Sequence, residues 1–337
     1  MASQYADQQP AGFKNHIKNV AIVGAGGNVG KFVAEALIKT GKHKVTAISR
    51  PDSKNKMPEG LHAIKHVDYD SHQSLVEALK GQEVLAISLS VYTPKGTQER
   101  LIDAAVEAGV RYIMPNEWGN DASNKEVGKD VFLGDRMAGI RKHLEDAGGD
   151  KTQWISLTCS FWYEFSLAGT ELRYGFNFDK KAVTFFDDGN KKINTSTWPQ
   201  VGRAVAALLS LKVYPDDESD KSPCISQWAR KSVYISSFFV SQKDMFASVL
   251  RVMGDKEEDW KVSYESSKER YADGLQKMQQ GDMSGFGKLL YSRVFYPDKA
   301  AQYNEKLENK VLGLPDEDFD GATQEAVNLW KAGGYGF

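Results

Sequence analysis

Gly24-Ala25-Gly26-Gly27-Asn28-Val29-Gly30 constrains this chain more than any other stretch, because of what stands on either side of it. Before it runs a short apolar segment, Asn19-Val20-Ala21-Ile22-Val23. After it, Val29, Phe32, Val33, Ala36 and Leu37 recur at helical spacing, which predicts a helix over 29–39 that Thr40-Gly41 ends. A strand that turns through glycines directly into a helix aims backbone N–H groups and the positive end of the helix dipole at one point. Read as GxxGxxG, the loop uses Gly24, Gly27 and Gly30; a strict GxGxxG fails because Val29 holds the last position. The physical demand is the same. One glycine permits the tight turn, one lets amides approach a pyrophosphate, and one lets helix and strand pack closely. The expected dinucleotide contacts here are Gly24, Gly26, Gly27, Asn28, Val29 and Gly30.

The alternation continues. Strands are expected at 44–49, 63–67, 84–90, 111–115 and 153–159, and helices at 71–80, 98–108 and 131–147. Strand–helix repeats of this length require parallel pairing with right-handed crossovers. The expected fold is therefore α/β: a Rossmann-type doubly wound parallel sheet, with a smaller α+β C-terminal substrate domain. Residues 1–17 read as a polar tail, 18–160 as the dinucleotide-binding domain, and 161–337 as the substrate domain, with some chain returning to the sheet. Within the last part the pattern suggests a strand–turn–strand about Asp188-Gly189-Asn190, a helix at 200–211, a strand at 232–236, and helices at 243–252 and 268–279. The aromatic run Phe161, Trp162, Tyr163, Phe165, Tyr174, Phe176 and Phe178 fits a substrate pocket or a second core equally well.

Composition removes several classes. Lys plus Arg number 43 against 45 Asp plus Glu, a net charge of −2 with no basic stripe, which argues against a nucleic-acid partner. Cys159 and Cys224 cannot form a disulfide framework. His16, His43, His62, His66, His72 and His143 form no HxH or HExxH array, so no metal is expected. No apolar run reaches the roughly 18 residues a membrane helix needs, and the first residues lack an apolar signal core. The expectation is a soluble, cytoplasmic protein, monomer or homodimer.

The second strand decides which dinucleotide. An NAD site would end it with a carboxylate for the ribose 2′-OH. Here it ends Ile48-Ser49-Arg50, with Lys54 close behind, which suits a 2′-phosphate and predicts NADP(H). Asp68, ending the third strand, is placed to bond the adenine side. Ser88, Leu89 and Ser90, ending the fourth, would pass beneath the dinucleotide.

Four segments together resemble the atypical short-chain reductases of the NmrA-like and isoflavone-reductase type. They are Gly24–Gly30, the run from Asp70 to Leu79, the run from Gln98 to Gly109, and Arg111-Tyr-Ile-Met-Pro-Asn-Glu-Trp-Gly119. The last looks like the family's Pro-Ser-Glu-Phe-Gly turn, with Asn116 (a cofactor contact by this likeness) and Trp118 (a substrate contact) as variants. The closest flavour is that of fungal isoflavone-reductase-like proteins. Resemblance implies NADPH and a C-terminal domain that closes over a flat aromatic or polycyclic substrate. It also implies that Cys159-Ser160-Phe161 lies beside the nicotinamide, Cys159 holding the carboxamide through its backbone and Phe161 lying against the ring.

The family's acid/base lysine should stand where this chain has Met137, and no lysine lies between Lys129 and Lys142. Arg141 falls on a position that touches substrate in the family, and Trp162 and Tyr163 border the expected pocket. Tyr163 or Glu117 is then the candidate proton donor, directly or through water. Tyr264–Lys268 spells the Tyr-x-x-x-Lys pair of ordinary short-chain dehydrogenases, but far downstream of the expected helix. The function expected is NADP(H)-dependent hydride transfer from nicotinamide C4 to an aromatic or polycyclic enone, quinone or quinone methide. The alternatives are a non-catalytic NADP(H)-sensing regulator of NmrA type, or a cyclase or dehydratase that uses the cofactor as a scaffold.

Overall fold

A computed structural model describes residues 5–90, 92–299 and 301–333. The alternation runs β1 (Asn19–Val23), α1 (Asn28–Lys39), β2 (Lys44–Ser49), β3 (Ala63–His66), α2 (His72–Leu79), β4 (Val84–Ile87), α3 (Thr97–Glu107) and β5 (Tyr112–Met114). Then come β6 (Trp118–Gly119), α4 (Lys125–Asp130), α5 (Gly134–Gly148) and β7 (Gln153–Thr158). Next are β8 (Phe161–Trp162), α6 (Tyr163–Leu167), β9 (Phe176–Asn177), β10 (Ala182–Phe186), β11 (Ile193–Ser196) and α7 (Trp198–Leu209). The chain closes with β12 (Lys231–Tyr234), β13 (Phe238–Val240), α8 (Gln242–Met253), β14 (Lys261–Glu265), α9 (Ser267–Gln279), α10 (Ser284–Val294) and α11 (Phe319–Lys331).

The main sheet has the order β12-β7-β5-β4-β1-β2-β3, with β6 on β7, and its strand pairs are parallel. Alternate residues of β1 enter opposite cores: Val20 and Ile22 face one helix layer, Ala21 and Val23 the other. That is why the strand is apolar throughout rather than alternating. The chain moves outward from β1 to β2 and β3, then returns to the other side of β1 to lay down β4. The strand order thus reverses between β1 and β4, and in open α/β sheets a reversal opens a crevice at the carboxyl ends of the strands.

Three details differ from the periodicity. The helix expected over 131–147 is α5, which starts later, at Gly134; a separate short helix, α4, precedes it, and the chain turns between them at Phe132, whose φ is +58°. The expected strand over 84–90 stops at Ile87, leaving Ser88 and Leu89 in the crevice. β10 and β11 do not pair with each other: β10 joins β9 and β14, while β11 joins β8 and β13. These two small sheets, with α6, α8, α10 and α11, enclose a second core that absorbs Tyr174, Phe176 and Phe178. β12 crosses back to the main sheet beside β7.

At the seam Glu164 of α6 is 5% exposed, and one carboxyl oxygen accepts the Trp198 amide at 3.3 Å. Burial pushes this carboxyl up to about 8, the nearby charges of Glu317 and Glu325 add to the rise, and the Trp198 amide opposes it. The folded protein therefore holds a proton that the unfolded chain releases near 4.5. Stability should fall as pH rises from about 4.5 to about 8 and level off above. Thermal melts should show Glu164→Gln flattening this slope and gaining a few kcal/mol over the wild type at pH 9. Parallel pH profiles for the two proteins would refute that assignment.

Candidate active site

One cavity of about 1410 Å³ runs along the carboxyl edge of the sheet, from Arg50 to Tyr291. That exceeds what a single small ligand fills, so it has room for a cofactor and a second molecule. Its floor is the glycine loop. Gly24 has φ +80°, and a Cβ on it would strike the carbonyl oxygen of Ser88. A Cβ on Gly30 would strike the Gly24 carbonyl, so this glycine lets α1 pack onto β1. Gly27 caps α1 without a side-chain acceptor, and Asn28 and Val29 of the first turn line the cavity. The first amides of α1 are thereby free of a side-chain cap and lie at the cavity floor.

Arg50 stands at one end, 63% exposed at its side chain and paired only loosely with Asp52 at 3.7 Å. Lys54 does not reach the wall; Ser53, Asn55 and Met57 of the same loop do, which corrects the expectation for Lys54. The loop arches over the glycines, with Asn55 and Lys56 2.9 Å from where a Gly26 Cβ would sit. Asp68 lines the cavity beside Tyr69 and Asp70. Arg100 braces that corner, donating from Nε to the Tyr69 carbonyl at 2.9 Å and from Nη2 to Asp70 at 3.0 Å. Ser88, Leu89 and Ser90 follow along the floor. Asn116 locks Leu89 through a reciprocal pair of 3.1 Å hydrogen bonds, donating to its carbonyl and accepting from its amide.

The other end is apolar. Trp118 donates its indole N–H to the Ile87 carbonyl at 2.7 Å and presents its ring to the cavity. Met137 lines the wall with Val127, Val131, Leu133 and Ile140. Ser160 and Phe161 line it too, but Cys159 lies behind them, fully buried, its thiol pushed up to about 12 by burial. Its side chain is therefore a packing element, and any contact must come from the Ser160–Phe161 turn. Phe161 stacks on Tyr291 with ring centres 4.0 Å apart. Trp162 and Phe165 complete the wall.

Both expected proton donors are otherwise engaged. Tyr163 is absent from the wall: it is buried in the second core, its hydroxyl 2.7 Å from that of Thr323. Burial raises it far above the ordinary phenol range. This removes it both as a donor and as a substrate contact. Glu117 does border the cavity, but Arg141 holds both of its oxygens, with Nε at 3.2 and 3.0 Å and Nη2 at 2.6 Å. Burial holds the Glu117 carboxyl above the ordinary carboxylate range although Arg141 and Ser156 pull it down, and both of its oxygens are taken up by the Arg141 guanidinium rather than turned to a substrate.

Arg141 is spent in the same network. It reaches Ser156 at 2.9 Å and Ser232 at 3.3 Å, stacks 4.3 Å above Trp154, and does not line the cavity. The expected substrate contact at Arg141 is thus corrected to a brace. The reason is electrostatic: its guanidinium is drawn to the buried Glu117 carboxylate and to the hydroxyls of Ser156 and Ser232. Several wall residues had no signal in the sequence. Phe286, Leu290 and Tyr291 arrive on α10, far down the chain. Asp121 also lines the cavity; burial would raise its carboxyl, but hydrogen bonds from Ser123 and Tyr234 and the charge of Lys306 hold it below the usual range. Among the described residues no helix is long and apolar enough to cross a membrane.

Known proteins are similar to this chain in sequence or in fold. The oxidoreductase aprR of Aspergillus flavus is 26% identical over 304 residues, covering 89% of this chain and 96% of its own. The phenylcoumaran benzylic ether reductase TP7 of Nicotiana tabacum is 34% identical over 157 residues, covering 43% of this chain and 49% of its own. Among solved structures, AtPrR2 with NADP+ and (+)pinoresinol superposes with a TM-score of 0.70 at 19% identity, covering 93% of this chain and 99% of that one. The NADPH-dependent quinone oxidoreductase QOR2 of Escherichia coli, complexed with NADPH, gives 0.62 at 20% identity, covering 92% and 100%. At these identities the structural likeness establishes the doubly wound fold. Residues 16–172 match the model of the NmrA-like family.

Proposed function

We propose that this chain is an NADPH-dependent reductase of a hydrophobic aromatic or polycyclic enone, quinone or quinone methide. One observation carries the reading: a single trough joins a glycine cradle, with a guanidinium at its end, to an apolar aromatic chamber. The cradle fits the cofactor, because Gly24, Gly26, Gly27, Asn28 and Val29 line the cavity where α1 begins and no side chain caps the first amides of that helix. When bound, NADPH supplies a hydride at nicotinamide C4. The loop amides and the α1 dipole hold the diphosphate, Arg50 meets the 2′-phosphate, and Asn116 keeps the Leu89 backbone in place beneath. Met137, Ile140, Val131 and Phe161 exclude water and orient a flat acceptor. The relatives named as oxidoreductases and benzylic ether reductases support this reading.

The proton inventory narrows the acceptor. With Glu117 paired and Tyr291 bonded to Ser166 at 2.8 Å, no carboxyl or phenol among the described wall residues at the apolar end is free to act as a general acid. A quinoid or conjugated acceptor suits such a site, since its reduced anion delocalises its own charge and takes a proton from water. The test is consumption of NADPH with a panel of quinones and enones. Turnover is expected; silence across the panel, with tight NADPH binding confirmed, would overturn the reading. Met137 in the lysine position also favours a second reading, a non-catalytic NADP(H) sensor. Calorimetry would then show distinct affinities for oxidised and reduced cofactor without turnover.

Arg50 offers a narrower check. Arg50→Ala should weaken NADPH by about 10- to 100-fold, the equivalent of one charge-assisted contact, and leave NADH unchanged. Equal losses for both cofactors would mean that Arg50 does not meet the 2′-phosphate.

A further inference from the structure

Beyond the dinucleotide end, the charged residues that line the cavity are Glu117, Asp121 and Arg136. The protein itself answers the first two. Arg141 takes both oxygens of Glu117. Asp121 accepts from Ser123 and from the Tyr234 hydroxyl at 3.0 Å, and it pairs with Lys306 at 3.3 Å. Arg136 is different: among the described residues no hydrogen bond, ion pair or ring contact engages its side chain. The apolar end therefore carries one uncompensated positive charge.

Helix geometry sets where that charge stands. Leu133 caps α5, and Arg136, Met137 and Ile140 follow it at three, four and seven residues, which puts all four on one face. All four line the cavity. The intervening Asp135, Ala138 and Gly139 are exposed and do not line it. The guanidinium thus interrupts an apolar stripe on the side turned to the cavity. Arg136 is also exposed, which places it at the rim of this wall and not deep in it.

The fold gains no ion-pair energy from an exposed arginine without a partner. A ligand in the cavity can supply that partner. The planar fork of N–H donors matches a carboxylate, which can accept two of them at once, and guanidinium–carboxylate pairs of this kind are both stronger and more directional than neutral contacts.

We propose that Arg136 is a specificity-determining residue that selects an acceptor bearing a carboxylate on its ring system. The inference rests on the reductase reading for what the ligand is, but its test reads binding alone. The probes are 2-naphthoate and 2-naphthamide, alike in shape and different in charge, titrated into the NADP+-loaded protein by calorimetry. The wild type should prefer the carboxylate, and Arg136→Met should cut that preference by about tenfold, the effect of losing one charge-assisted contact. Arg136→Lys should keep part of it, because the charge remains while the fork is lost. Raising salt from about 50 mM to about 500 mM should erode the preference of the wild type and leave that of the methionine variant unchanged. Melting temperature should hold in both variants, since Arg136 braces no other residue, so a lost preference would not report unfolding.

Equal affinities in the wild type, no binding of either probe, an unchanged ratio in Arg136→Met, a ratio indifferent to salt, or a lysine variant that behaves like the methionine one would overturn the proposal. So would a fall in NADP+ affinity in Arg136→Met, which would assign the guanidinium to the cofactor. If the ratios move as expected and no quinone, with or without a carboxylate, consumes NADPH, the anion subsite stands and the reductase reading falls. Turnover of quinones together with equal probe affinities would do the reverse.

Discussion

Gly24→Ala should lose NADPH affinity by a hundredfold or more and melt roughly 5 °C lower. Two effects add at this residue. Its φ of +80° is strained for alanine, and the new methyl would be driven into the Ser88 carbonyl, part of the backbone that ends β4. A collision with backbone cannot be relieved by a rotamer, so either β1 or β4 must move, at a cost on the order of 3–5 kcal/mol. The same movement displaces the loop amides that would meet the pyrophosphate. Gly41 is the control: its φ is +67°, but nothing lies within 4 Å of its Cβ position. Gly41→Ala should cost only about 1 kcal/mol and leave NADPH binding intact. Calorimetry with NADPH and thermal melts on both variants separate clash from backbone strain. Normal NADPH affinity in Gly24→Ala would detach the glycine loop from the cofactor.

Arg141→Met should destabilise the protein by about 3–5 kcal/mol, although Arg141 does not line the cavity. The guanidinium is the partner of a carboxylate that is 4% exposed at its side chain, and a methionine leaves that charge buried and alone. With the guanidinium gone, burial is opposed only by the Ser156 hydroxyl, and the Glu117 pKa rises further. The folded variant then holds a proton that the unfolded chain does not, so its stability should fall with rising pH between about 5 and 8, more steeply than in the wild type. Adding Glu117→Gln should recover most of the loss at pH 8, because the amide has no charge to leave unpaired. Melts of the single and double variants across that pH range check the coupling. Additive losses would show that Arg141 acts through Ser156, Ser232 and Trp154 instead.

The two predictions differ in how far the sequence foreshadows them. Gly24 and Gly30 announce themselves because a tight turn and a close helix–strand approach are local demands that only glycine meets. The Glu117–Arg141 pair does not. Both residues are visible in the chain, and the family likeness points Arg141 at substrate, but only the packing of α5 against β7 turns its guanidinium toward Ser156 and Ser232. Tyr163 shows the same limit. Its position after the Ser160–Phe161 turn places it near the cavity in sequence, while the start of α6 at that residue rotates it into the second core.

Periodicity and turn chemistry therefore determined what is local: the glycine cradle and the parallel alternation. These follow from φ restrictions and from repeats of 2 and 3.6 residues, which act within a few residues of chain. Tertiary structure alone decided which face each side chain shows the crevice, that Tyr291 of α10 backs Phe161, and that Arg293 of α10 holds Asp130 at the end of α4. Those contacts join residues far apart in sequence, and their geometry depends on how whole helices pack, which no local window encodes.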